Sequence, residues 1–448
     1  MKKMKLINFR HILGVAVLCL LMSGCVSRRI AWSPDGAHAA IFAEEGLHLC
    51  SPDGALSEMI LPGVELAEWF PDSQRLAVTS EVGKQSWTDL EKVISPEECE
   101  RIVQGGQKVR EERKAGHSFA YAFNALTNLG DNEKNAVSAY LAESEGTKEQ
   151  VGANWDVLPQ KVASLFQMRV GTLDRGRVMF GPPLINTLRK IVDIRISPGG
   201  TAIACTAEGD KKDELQLLLI AANGSTPPQV VAKNTAYCSD WSRDGRSLLY
   251  IHAEDADGDA VDLGSLTRRT VLNSEGRLEI QTNTDDLAGL IFDANNKVRC
   301  LSDGRIIFAA ADIHLPCTVA DIPQQPQLFA LDPERVATVI PLIPRSVQDS
   351  LPPKLNYYET SPDGKRIALS ADKGPVLVLT VATGELETVQ KAGENDMGSA
   401  PAWRSSSELC YIFRTNGQPA QVALWNNGTN RVLSANWPAD VRKGFLDK

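Results

Sequence analysis

The feature that most constrains this chain is a short turn-and-strand pattern that recurs along it. An apolar residue precedes turn residues centred on Asp-Gly, and an apolar strand follows. The copies are Trp32-Ser33-Pro34-Asp35-Gly36, Trp69-Phe70-Pro71-Asp72-Ser73, Ile196-Ser197-Pro198-Gly199-Gly200 and Trp241-Ser242-Arg243-Asp244-Gly245. Cys300-Leu301-Ser302-Asp303-Gly304, Thr360-Ser361-Pro362-Asp363-Gly364 and Trp403-Arg404-Ser405-Ser406-Ser407 follow. Three residues before the Asp position stand Trp32, Trp69, Ile196, Trp241, Cys300, Thr360 and Trp403. Four residues after it stand Ala39, Leu76, Ile203, Leu248, Ile307, Ile367 and Cys410. Proline presets the backbone entering such a turn, aspartate accepts backbone N–H bonds, and glycine tolerates positive φ. Each copy therefore joins two antiparallel strands, with Asp35, Asp72, Asp244, Asp303 and Asp363 as turn residues.

Second turns, such as Ser51-Pro52-Asp53-Gly54, Ala222-Asn223-Gly224, Ala382-Thr383-Gly384 and Asn426-Asn427-Gly428, mark a further strand pair in several copies. Strands at these intervals give sheets of about four. Successive Asp positions are 37, 127, 45, 59, 60 and 43 residues apart, mostly near the ~40–50 residues of a four-stranded propeller blade. One such sheet leaves a face uncovered, and packing sheets around an axis buries it. The expected fold is all-β, a seven-bladed β-propeller, with six and eight blades as the neighbouring counts.

Tyr358-Glu359-Thr360-Ser361-Pro362-Asp363-Gly364-Lys365-Arg366-Ile367-Ala368-Leu369 resembles the WD-repeat-like units of TolB-type β-propellers. The resemblance covers nearly all of the chain after Cys25 outside one insertion. It implies fold far more than function, because such propellers carry many activities. TolB-type proteins also have a smaller N-terminal α/β domain, which has no room here, since the first copy begins about five residues after Cys25.

The spacing of 127 exceeds the others by about 80 residues. Ser95-Pro96-Glu97-Glu98 reads as a capping box with proline at the first helical position. It predicts a helix from Pro96 to about Arg113, with a charged stretch from Lys108 to Lys114. Asp131 or Asn132 can cap a second helix, from Glu133 to about Glu143. Strands resume at Leu165–Val170 and Arg177–Phe180. The organisation expected is 1–24 leader, 25–86 the first blade and part of the second, 87–160 a helical insertion, and 161–448 the rest of the propeller. An insertion of that length is expected to be a lid or docking surface, or a decoration packed on a blade edge.

The N-terminus is basic from Met1 to His11, apolar from Ile12 to Met22, and small at Ser23-Gly24. An apolar run of eleven is short for a membrane span, which needs ~20 residues, and fits a signal peptide. Leu21-Met22-Ser23-Gly24-Cys25 resembles the bacterial lipobox, with Met22 where leucine is usual. The resemblance implies cleavage before Cys25 and lipid attachment to it. Val26-Ser27 resembles an outer-membrane sorting signal. An ordinary signal peptide with an incidental cysteine, or an uncleaved anchor, are the other readings. The expectation is a lipid-anchored protein of the cell envelope, on the periplasmic side of the outer membrane.

Beyond the leader there are 43 Lys+Arg against 56 Asp+Glu, a net charge of −13, which argues against a nucleic-acid partner. Seven cysteines follow Cys25, scattered and without a C-x-x-C pair. Cys205 and Cys410 lie in apolar strands and read as buried thiols, and Cys300 with Cys317 is the pair to consider for a disulfide. No His-Glu-x-x-His or phosphate-binding Gly-x-x-x-x-Gly-Lys motif occurs. Gly116-His117-Ser118-Phe119-Ala120 is the nearest approach to a nucleophile elbow, but it departs at the last position and no strand precedes it. The five histidines after the leader share no repeat position. Asp255, Asp257, Asp259 and Asp262 flank Gly258 and read either as a Ca²⁺ loop, the one cofactor suggested, or as a solvated hairpin turn. The expectation is a non-enzymatic scaffold binding an envelope protein or peptide. The alternative is an enzyme or a glycan or peptide receptor using the central channel, marked by acids, histidines and arginines converging there.

Overall fold

A computed structural model describes residues 29–144, 162–211, 214–236, 239–253, 262–292, 297–310, 327–335, 339–344, 357–370, 375–390, 397–398, 401–414 and 419–443. Its strands form seven antiparallel sheets, each a meander of consecutive strands. Blade one runs from Ile30–Trp32 to Leu61–Pro62, and blade two from Val64–Trp69 to Arg177–Thr187. Blade three runs from Ile191–Ile196 to Gln229–Lys233, and blade four from Asp240–Trp241 to Asp285–Phe292. Blade five runs from Val298–Cys300 to Val339–Pro341, and blade six from Tyr357–Thr360 to Leu386–Gln390. Blade seven has a split first strand, Met397–Gly398 and Ala402–Trp403, and ends with Thr429–Val432. The fold is the seven-bladed β-propeller expected, with a helical insertion in blade two.

The ring is visible in how the sheets bury their faces. Phe42 and Leu47 of blade one pack with Trp69 and Leu76 of blade two. Met168 packs with Ile203 between blades two and three, and Leu219 with Leu248 between three and four. Ile251 packs with Phe308, Ile307 with Leu369, and Val378 with Trp425, which carries the series to blade seven. Ile30 and Ile41 of blade one then meet Ile412 and Val422 of blade seven. Each sheet thus covers both its faces with neighbours, as the hydrophobic effect requires of a sheet apolar on both sides.

Among the described residues no blade mixes strands from both ends of the chain, so closure is by packing. The last strand and the segment after it clasp blade one. Leu433, Trp437 and Val441 enter the shared core, Trp437 Nε1 donates to the Gly54 carbonyl at 2.7 Å, and an Arg431 guanidinium N–H donates to the Pro52 carbonyl at 2.8 Å.

The repeated turns have two polar parts. The serine two residues before the Asp position accepts the N–H five residues on: Ser33 from His38, Ser197 from Ala202, Ser242 from Ser247, Ser361 from Arg366. In copies that retain it, the aspartate accepts the N–H two residues ahead, as Asp35 does from Ala37 and Asp363 from Lys365. Blade three keeps the serine though Gly199 replaces the aspartate, which is why its turn survives. Partial burial works against the charge of Asp35, Asp72, Asp244, Asp303 and Asp363. The hydrogen bonds outweigh it, and all five titrate below the ordinary value.

Three of the four tryptophans that stand three residues before the Asp position latch one blade to the one before. Trp69 Nε1 donates to the Ala31 carbonyl at 3.0 Å, Trp241 to Arg195 at 3.1 Å, and Trp403 to Glu359 at 3.0 Å.

The insertion joins the second and third strands of blade two, Arg75–Gln85 and Ala163–Asp174, at the end where Gln85 pairs with Ala163. It holds helices α1 (Trp87–Leu90), α2 (Pro96–Lys114), α3 (Phe119–Asn124) and α4 (Asp131–Ser144). Ser95 caps α2 by accepting the Glu98 N–H, with Pro96 at the first position. Ile102, Val109, Leu126, Val137 and Leu141 form a core of their own against Ala163, Leu165 and Leu188 of the propeller. The glycines of α2 serve that core, since a Cβ on Gly106 would lie 2.6 Å from the Tyr140 ring. No helix among the described residues is long and apolar enough to cross a membrane.

Candidate functional site

The first strand of every blade runs toward its Asp-Gly turn, so residues at one offset from that turn stand at one level of the axis. Four residues before the Asp position stand Ala31, Glu68, Arg195, Asp240, Arg299, Glu359 and Ala402 in blades one to seven. Blades two to six therefore supply charges of alternating sign, and blades seven and one supply alanine. Arg195 reaches Glu68 at 3.7 Å and, across the axis, Glu359 at 3.5 Å. Arg299 grips Glu359 with Nε and one terminal nitrogen at 3.2 and 3.3 Å, a two-point geometry that carboxylate and guanidinium share. The Tyr357 hydroxyl donates to the same carboxylate at 3.0 Å, and Lys297 lies over the Tyr357 ring at 3.3 Å. Asp240 accepts the Trp241 N–H at 2.9 Å and the Cys300 N–H of the next blade at 2.9 Å.

This belt is largely removed from water; Arg299 is 1% exposed. Burial opposes the charge on Arg195, but Glu359, Glu68, Asp193 and Asp240 overcome it and hold its pKa well above the ordinary value. Asp240 is the counterpart. Burial pushes it up to about 6 despite Arg195 and two backbone N–H donors. The belt lies one residue from the turns, at the mouth that carries them.

At the same mouth a cavity of about 570 Å³ opens between blades four and five. Arg243, Asp244, Arg268, Asp285, Asp303 and Glu334 give its lining an acidic excess. Arg268 spans it, 3.1 Å from Asp285 and 3.6 Å from Glu334.

A second ionic cluster fastens the insertion. Glu133 of α4 meets Arg101 of α2 at 3.1 Å and Arg189, between blades two and three, at 3.4 Å. Asp210 of blade three joins Arg101, Arg189 at 2.6 Å and Lys233 at 2.6 Å. Glu98 accepts from the Thr187 hydroxyl at 2.6 Å and the Leu188 N–H at 3.1 Å. Burial raises Glu133 to about 7, more than Arg101 and the Gly130 N–H can offset.

The residues singled out in the sequence are distributed differently. The five turn aspartates share one mouth. Ser118 caps α3, accepting the Tyr121 N–H, and sits in no elbow. The basic groups of Lys108–Lys114 are mostly spent within the insertion: Lys108 bonds the Ala125 carbonyl, Arg110 the Ser144 hydroxyl and Arg113 the His117 carbonyl. Cys205 and Cys410 are fully buried. Cys300 is a free thiol pushed up to about 12 by burial, and Cys317 lies outside the described residues. Asp262 begins the third strand of blade four, while Asp255, Asp257, Asp259 and Cys25 lie outside them. Among the described residues no group of three or more His, Cys, Asp or Glu is placed to hold a metal ion. The belt was absent from the sequence reading, although its signal was present: the residue before each apolar position three ahead of the Asp carries a charge in five consecutive copies.

No protein-family model matches the chain, and no curated protein sequence does. Among solved structures, it is similar to a puromycin hydrolase at 13% identity, covering 92% of this chain and 54% of that one, with a TM-score of 0.49. An acylaminoacyl peptidase from Pyrococcus horikoshii is similar at 14% identity over 60% of this chain and 41% of that one, TM-score 0.39. The β-propeller domain of Cps50 (Swd1) from Myceliophteria thermophila is similar at 10% identity over 90% and 98%, TM-score 0.43. The chain spans about half the length of the hydrolase or less than half that of the peptidase. These relations correct one expectation. A chain whose solved neighbours include hydrolases and peptidases is not to be set down as a non-enzyme, and that reading is withdrawn. The likeness is one of fold, and no activity is carried across at these identities.

Proposed function

We propose that this chain is a lipid-anchored propeller of the bacterial envelope, TolB-like in type, that receives a peptide or protein segment of a partner at the mouth bearing the Asp-Gly turns. The observation that carries this reading is the cavity of about 570 Å³ between blades four and five, with its acidic excess, beside an axial belt of paired charges. A cleft between neighbouring blades is concave and here carries convergent polar groups, as binding sites generally do. Its surplus of Asp and Glu favours a segment carrying lysine or arginine. Export and the lipid at Cys25 rest on the lipobox resemblance.

Photo-crosslinkers placed singly at Asp285 and Glu334 in cells test this reading, with Met179, exposed on the outer strand of blade two, as the reference position. The expected result is one discrete adduct from each cavity position, lost from the Asp285 probe when Glu334→Arg is added and from the Glu334 probe when Asp285→Arg is added. Adducts of equal yield from Met179 reject it.

A second reading is favoured by the convergence of Glu68, Arg195, Asp240, Arg299 and Glu359: a small charged ligand held in the channel itself. A carboxylate ligand would exchange for Glu359 on Arg299 and Arg195. Binding to Glu359→Gln but not to Arg299→Met separates this from the first.

A further inference from the structure

We infer that the mouth opposite the Asp-Gly turns, together with the helical insertion, lies against the lipid surface of the membrane. The inference rests on lipid attachment at Cys25 and adds the orientation that attachment imposes.

Arg29 is the first described residue and is already buried in the propeller, its carbonyl accepting the Phe42 N–H at 2.9 Å. The strand Ile30–Trp32 then runs toward the turn Ser33–Gly36, so Arg29 stands at the opposite mouth. From Cys25 to Arg29 there are four residue steps, which span at most about 14 Å fully extended. Arg29 is itself four residue steps from Ser33, so the extended tether only equals the depth of that strand, and a membrane held by it lies nearer the mouth where Arg29 stands.

The insertion rises from this same mouth. Arg29 corresponds in the repeat to Leu66, which pairs with Thr79, and the second strand of blade two continues from there to Gln85. Allowing one bulged residue at Val82, that is roughly 17 Å of further strand. The insertion therefore extends on the membrane side at least as far as the anchor can reach, and it is held there by its own core and by Glu133, Arg101, Arg189 and Asp210. Val82 at the base of the insertion and Val93 and Tyr121 within it are exposed, Tyr121 at 54%, and tyrosine suits the boundary between headgroups and hydrocarbon. The surplus of negative charge supplies no attraction to an anionic leaflet, so the contact follows from the short tether. The turn mouth and its cavity are left facing away.

The test uses the full lipoprotein in vesicles of phosphatidylethanolamine and phosphatidylglycerol, with the Cys25→Ser protein in solution as reference. Amide exchange at 91–94 and 117–122 is expected to slow about tenfold on vesicles, while the turns at 33–38 and 361–365 are unchanged. A flexible linker of about thirty residues between Arg28 and Arg29, reaching roughly 30 Å, should abolish that protection. Protection at the turn mouth, or protection that survives the linker, overturns the orientation. Mass spectrometry of the mature N-terminus separates the two claims: an unmodified Cys25 sinks the anchoring itself, whereas lipid on Cys25 with the wrong face protected sinks only the orientation.

Discussion

Arg195 of blade three and Glu359 of blade six, 164 positions apart in the chain, meet across the propeller axis at 3.5 Å. Blades three and six are not neighbours, so this pair braces the ring along a diameter. Arg299 shares the same carboxylate, and Arg195 also serves Glu68. Two guanidinium groups thus depend on Glu359.

Glu359→Gln leaves Arg299 and Arg195 short of their common partner in a site with little water. The expected loss is ~3–5 kcal/mol of unfolding free energy, the usual result of breaking a buried pair from one side. Urea denaturation measures it. Glu275→Gln, at the exposed pair with Arg277, should change stability by no more than about 0.5 kcal/mol. Equal effects at the two sites would remove the brace from this account.

The clasp at Trp437 closes a ring that, among the described residues, shares no strand between its ends. Trp437→Ala should cost about 3–5 kcal/mol through the cavity it opens between blades seven and one. Trp437→Phe keeps most of the packing and loses the bond to Gly54, so it should cost less. If the alanine variant unfolds at the wild-type denaturant midpoint, closure lies elsewhere.

Glu133 and the turn aspartates respond to pH with opposite sign. Glu133 rises to about 7 in the folded protein from an ordinary 4.5. The folded state therefore binds a proton that the unfolded state has released, and stability from this group is lost as pH climbs through 7. Asp240, at about 6, adds to the same trend. The five turn aspartates are depressed, so their contribution is present at neutral pH and disappears as pH falls below about 4. The urea midpoint should be higher at pH 5.5 than at pH 8 in the wild type, and Glu133→Gln should flatten that difference. An unchanged difference in the variant would show that Glu133 is not its source.

Gly364 and Gly428 both have positive φ, +68° and +89°, and differ in their surroundings. A Cβ on Gly364 would lie 2.6 Å from the Ser302 hydroxyl and 2.9 Å from its backbone nitrogen, whereas Gly428 has open space. Gly428→Ala should cost ~1–2 kcal/mol for the backbone conformation alone, and Gly364→Ala a further ~1–3 kcal/mol from overpacking against blade five. Thermal unfolding of the two variants side by side reads the difference. Matching losses would mean that the turns of blades five and six do not touch.

Much of the fold was legible because a turn speaks through its own residues. Ser-Pro-Asp-Gly states a backbone conformation locally, and the apolar residue after Asp363 or Asp244 marks the strand that follows. The helices of the insertion were equally plain at Ser95-Pro96, where cap and proline sit together. The belt was harder to see. Glu68, Arg195, Asp240, Arg299 and Glu359 look in isolation like polar residues beside an apolar one, and the long second, fourth and fifth spacings of the repeat obscure their common offset. The charged run from Lys108 to Lys114 invited a surface reading, yet α3 and α4 lie close enough to use most of it.

By itself the sequence determined that blades would form and roughly how many, since each copy holds a sheet with two apolar faces and the turns that fold it. Only the tertiary structure decided which charges would share the axis, where the insertion would be fastened, and that the ends would be joined by a tryptophan clasp. The reason is distance along the chain. Turns and capped helices are settled within a few residues, whereas Arg195 with Glu359, Glu133 with Arg189, and Trp437 with Gly54 become neighbours only once the ring has closed.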